Sequence, residues 1–129
     1  MPPASSSCSG LSAVVQPGTD KLQAKAARAL AAAAAALNDG APDVAAGRAF
    51  YAMLYAAKAR LNETGQRLRT HARIAAAYAA LPEIDEAPAA WLDEALALRR
   101  QLAEEPDALD YAAAEALVAR ARRFVTAAV

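Results

Sequence analysis

Helix-breaking residues fall at a few places in this chain, and the stretches between them consist almost entirely of residues that favour helix. Asn38-Asp39-Gly40 with Ala41-Pro42, then Gly65, Pro82 and Pro106, cut the sequence from Thr19 onward into five segments. Gly ends helices because it enters the left-handed conformation without a Cβ clash. Pro opens or stops them because it has no N–H to donate. Alanine, the strongest helix former, supplies about a third of the residues, while aromatic residues are held to 5%. No segment alternates with the period of a strand. An all-α fold is expected, and 129 residues suit one domain.

Residues 1–18 carry Pro, Ser and Gly without periodicity and too little apolar surface to offset chain entropy, so a disordered tail is expected, with the folded domain over residues 19–129. The first helix runs from Thr19 or Asp20, either of which can cap it, to Asn38. The second starts at Ala41-Pro42-Asp43 and ends at Asn62 or Glu63. Thr70 caps a third helix, His71 to about Leu81, and a fourth spans about Ala87 to Glu105. Asp107 or Asp110 caps the fifth, which turns Leu117, Val118, Phe124 and Val125 inward. The apolar run after Arg28 is about 9 residues, far short of the roughly 20 that cross a bilayer. No basic residue precedes a hydrophobic run at the N-terminus, and no apolar segment precedes Cys8. A cytoplasmic protein without a membrane partner or lipid anchor is expected.

The second segment is the most informative. Phe50, Leu54, Ala57 and Leu61 form one helical stripe, and Arg48, Tyr51, Tyr55, Lys58 and Asn62 form another beside it, so one edge of a mostly buried helix presents two phenols and two cations. Fourteen Lys and Arg balance fourteen Asp and Glu, but unevenly along the chain. Residues 21–73 hold nine cations and three anions, and residues 83–115 hold ten anions and two cations. Arg60, Arg67, Arg69, His71 and Arg73 crowd around the junction between the second and third helices. Guanidinium forks and the N–H groups of a helix start suit phosphate. The same cluster also reads as a solvated turn paired with the acidic half of this chain or of a partner.

His71 is the only histidine and the one side chain whose ordinary pKa lies near neutrality. It is the candidate general base or acid, with Arg67 and Arg69 as phosphate clamps. A His packed and hydrogen-bonded at a helix start is the plainer reading. One His and one Cys do not make a paired-His or all-Cys metal site, so neither metal nor other cofactor is expected. Arg48, Tyr51, Tyr55, Lys58, Arg67, Arg69 and Arg73 are the candidate nucleotide- or RNA-binding residues. Because each Ala buries little area, burial shared between two copies is expected, giving a homodimer.

The segment Ala46-Gly47-Arg48-Ala49-Phe50-Tyr51-Ala52-Met53-Leu54-Tyr55-Ala56-Ala57-Lys58-Ala59-Arg60-Leu61 resembles the second-helix signature of HEPN-domain proteins, a Ser-Arg-x-Tyr-Tyr-Ala-x-Phe pattern followed by Ala-Ala-x-Ala-Leu. Gly65 and Thr70-His71 are similar to that family's loop glycine and the Thr-His pair opening its third helix. Arg100 and Ala103 fall where an Arg-x-x-Ala pattern is common. The resemblance covers about residues 20–127. It implies an antiparallel up-and-down bundle of four to five helices, usually dimeric, encoded beside a minimal nucleotidyltransferase in a toxin–antitoxin or defence pair. Some relatives are metal-independent ribonucleases that use an Arg, four to six residues, then His. Here three residues separate Arg67 from His71, Gly47 stands where Ser is usual, and Glu104-Glu105 replace an Asp-Tyr pair. Three readings follow: a nucleotide- or RNA-binding interaction module, a metal-independent endonuclease using His71 and nearby Arg, and a scaffold bundle without ligand.

Overall fold

The computed structural model describes residues 17–105, 107 and 109–128, and among these it contains five α-helices and no strand. They are α1 (Thr19–Asn38), α2 (Pro42–Glu63), α3 (His71–Ala79), α4 (Glu86–Glu104) and α5 (Tyr111–Ala128). The all-α bundle expected from sequence is the fold observed. Residues 1–16 of the expected tail lie outside the described residues, whereas Pro17 and Gly18 form a turn leading into α1.

The two Gly turns that end α1 and α2 close by the same hydrogen-bond pattern. At the end of α1, Gly40 donates to the Leu37 carbonyl and Ala41 to that of Ala36; at the end of α2, Gly65 donates to Asn62 and Gln66 to Leu61. This pattern needs a left-handed residue, and the φ angles of 73° at Gly40 and 85° at Gly65 supply it. The Thr70 hydroxyl accepts the Arg73 N–H at 3.3 Å and the Asp110 carboxylate that of Ala113 at 2.8 Å, so both expected caps are made. The start of α1 differs from expectation. Left-handed Gly18 occupies the cap position, and Thr19 already belongs to the helix. Its buried hydroxyl donates to Glu63 and accepts from the Asn62 amide at 2.8 Å, tying the start of α1 to the end of α2.

Every other helix packs against α2. Its apolar residues surround the axis: Ala45, Ala49, Phe50, Met53, Leu54, Ala57 and Leu61 are all buried, as expected of a helix enclosed on several sides. The largest interface is with α1, which offers Ala26, Ala29, Ala33 and Ala36 at helical spacing. These methyl groups let two helix axes approach closely. Across α2, Tyr78 of α3 and Phe124 of α5 are buried with ring centres 5.1 Å apart, and Ile74 and Leu92 complete that side of the core. Contact between α4 and α5 is slight by comparison. No helix among the described residues is long and apolar enough to cross a membrane.

Candidate nucleotide and RNA site

The buried positions of α4 recur at Leu92, Ala95 and Leu96, and the next turn on that face is Arg99. Helical geometry thus carries a guanidinium into the phase of a core residue. Its central carbon lies 5.2 Å from the ring centre of Tyr51 and 5.4 Å from that of Phe50, and its Nη2 donates to the Tyr51 hydroxyl at 2.8 Å. His71, the first residue of α3, meets the same two rings edge-on, 5.4 Å from Phe50 and 6.0 Å from Tyr51. Phe50 and Tyr51 are consecutive on α2, so one helix face positions a His from α3 and an Arg from α4.

This setting acts on the imidazole. Partial burial, then the positive charges of Arg99 and Lys58, hold the His71 pKa below its ordinary 6.5. At neutral pH the ring is uncharged and one nitrogen can accept a proton.

Three cavities have basic residues in their walls. The first, about 400 Å³, is lined by Arg69, Thr70, His71, Leu96, Arg99 and Arg100. The second, about 280 Å³, has Lys21, Lys58, Asn62, Arg67 and Arg69 in its wall. The third, about 310 Å³, lies between Lys25, Arg28, Arg48 and Tyr55. Arg69 faces both the first and the second. Tyr51 and Tyr55 stack at 5.9 Å, with the Lys25 ammonium 5.6 Å from the Tyr55 ring, which links the central cluster to the third cavity.

Seven of the eight residues singled out from sequence therefore border this region. Arg69 and His71 share a cavity. Arg67 does not share it: its Nη2 is 3.5 Å from the Pro17 carbonyl, on the α1 side of the connection. Arg48 and Tyr55 belong to the third cavity and Lys58 to the second. Arg73 is exposed and lines none of the three. Sequence reasoning missed Arg99 and Arg100 as site residues because they lie in the acidic half of the chain. The signal that would have found Arg99 is its phase, four after Ala95 and seven after Leu92.

The pairing expected between the basic junction and the acidic half is limited. Arg60 pairs with Glu83 at 3.6 Å and Arg120 with Glu94 at 2.9 Å. Neither involves the Arg residues of the first cavity.

Residues 19–129 match the model of the HEPN domain over their whole length. The chain belongs to the HEPN domain family. No curated protein matches it at significant similarity. Within this HEPN domain the second-helix signature divides by face: Tyr51 turns toward Arg99 and His71, whereas Arg48 turns toward α1.

Proposed function

We propose that this HEPN domain binds the phosphate groups of a nucleotide or RNA and acts with a nucleotidyltransferase partner in a toxin–antitoxin or defence pair. One observation carries the binding reading: Arg69, Arg99 and Arg100 line a single cavity with His71 at the start of α3. Three Arg side chains there border the N-terminus of α3, and guanidinium groups beside a helix N-terminus are a combination that recognises phosphate oxygens. Membership of the HEPN domain family supports the proposed partner and pairing, and the small area each Ala buries supports homodimerisation.

Binding of a fluorescent oligoribonucleotide, measured against salt, tests the reading. Affinity should fall linearly on logarithmic axes, and Arg69→Ala or Arg99→Ala should weaken it and flatten the slope, because each removes a phosphate contact. Binding that ignores salt would leave the scaffold reading. The neighbouring reading frame should encode a nucleotidyltransferase whose co-expression gives a complex that survives purification, and light scattering of this chain alone should give twice its mass.

A second reading, metal-independent RNA cleavage, is favoured by the lowered His71 pKa, which keeps a proton acceptor available at neutral pH beside Arg99. Cleavage of RNA in excess chelator by the wild type and not by His71→Ala supports it; equal cleavage by both removes it.

A further inference from the structure

A fourth cavity, about 350 Å³, opens between α2, α4 and α5. It is within the size range of small-molecule sites. Its wall is mainly apolar, from Ala46, Leu98, Leu102 and Leu117, but Arg99 and Arg100 stand at one side and Asp43 also lines it. Those two Arg residues are also in the wall of the cavity that holds Arg69 and His71. The two spaces are therefore neighbours across the same pair of guanidinium groups.

Gly47 adds an observation about shape. It sits in the second turn of α2, inside the helix, where Gly is unfavourable relative to Ala, and its φ is not in the left-handed region. A Cβ built there meets no atom within 4 Å. No neighbouring side chain explains the missing methyl group, and Gly47 lines the cavity. Its bare backbone widens the space that a flat ring would enter.

An occupant must carry an anionic end for Arg99 and Arg100, a flat apolar body for the Ala and Leu wall, and hydrogen-bond donors for Asp43. A nucleobase joined to a phosphate has all three. Among the bases, guanine places two adjacent N–H donors on one edge, matching the two oxygens of a carboxylate, whereas uracil flanks its single N–H with carbonyl oxygens that a carboxylate repels. We infer that the cavity lined by Asp43, Gly47, Leu98 and Leu102 is a base subsite selective for guanine, with the attached phosphate held in the adjoining Arg69–His71–Arg99–Arg100 cavity. This rests on the phosphate-binding reading above and extends it to the identity of the base.

Calorimetric titration of the full chain with GMP, UMP and ribose 5-phosphate tests the inference. GMP should bind about tenfold or more tightly than either of the others, the discrimination expected of a bidentate contact to a base edge. Gly47→Leu should reduce GMP to the affinity of ribose 5-phosphate, which reaches only the Arg-lined cavity and so reports whether that end is intact. Asp43→Asn should bring GMP and UMP close together. Circular dichroism melting of both variants, compared with the wild type, shows that they are folded. The trinucleotides UpGpU and UpUpU separate the sources: tighter binding of UpGpU than of GMP identifies RNA, and the reverse identifies free nucleotide. Equal binding of GMP, UMP and ribose 5-phosphate would overturn the base subsite while leaving the phosphate site standing. No binding of any of them would overturn both.

Discussion

Arg99 on α4 donates a hydrogen bond of 2.8 Å to the hydroxyl of Tyr51 on α2 while its guanidinium lies over that same ring, so one residue pair fixes both the separation and the rotation of two helices. A charged hydrogen bond contributes about 1.5–3 kcal/mol and a cation–π contact about 0.5–1 kcal/mol at an accessible site. Part of each is lost to solvent, because Arg99 is only partly buried. Arg99→Ala should therefore destabilise the fold by about 1–2 kcal/mol, and Tyr51→Phe by about 1 kcal/mol, read as a lowered urea midpoint with unchanged slope. Arg99→Lys should not restore the loss, because an ammonium lacks the planar fork.

His71 gives a pH dependence with a defined sign. Its pKa is lowered in the folded chain by burial, Arg99 and Lys58, so between that value and 6.5 the unfolded chain binds more protons than the folded one. Stability should rise with pH through that window, and below it, where both states carry the proton, His71 adds no further pH dependence. As the only histidine, it gives a single imidazole signal for NMR titration. The titration midpoint should lie below 6.5 in the wild type and move upward in Arg99→Gln.

Gly65 and Gly47 should respond to alanine in opposite directions. Gly65 has φ 85° in the turn after α2, where a Cβ is strained; Gly65→Ala should cost about 1 kcal/mol. Gly47 is helical with open space over it, so Gly47→Ala should add about 0.5–1 kcal/mol of stability. Thermal melting of the two variants side by side checks both signs.

Asn62 is 5% exposed and donates to the Thr19 hydroxyl and, at 2.9 Å, to the Pro17 carbonyl. Asn62→Ala removes both bonds at a buried position and should cost about 1–3 kcal/mol. Asn62→Asp should be no better, since a carboxylate cannot donate to the Pro17 carbonyl. Chemical denaturation at neutral pH measures both.

Much of the fold was legible because the breakers have local causes. The Gly40 and Gly65 turns need only a left-handed residue, and Thr70 and Asp110 cap by bonds to residues three positions on. The two stripes of α2 were legible for the same reason, since Phe50, Leu54 and Leu61 pack by helical period. The start of α1 was misread because Thr19 makes its bonds to residues more than forty positions away, which no local pattern reveals. The site was legible on α2 and at His71, where chemistry and period coincide. It was not legible at Arg99, which lies in the acidic half of the chain in sequence and beside two aromatic rings in space. Arg67 and His71 are close in sequence, yet the irregular connection between α2 and α3 carries Arg67 back toward Pro17.

The central place of α2 has a mechanical consequence. Since each of the other four helices leans on it, none can peel away without wetting some of the same spine, and the chain has no detachable layer. Amide hydrogens near Met53 must then wait for the whole molecule to open before they exchange with water, while those in the exposed last turn of α4 need not.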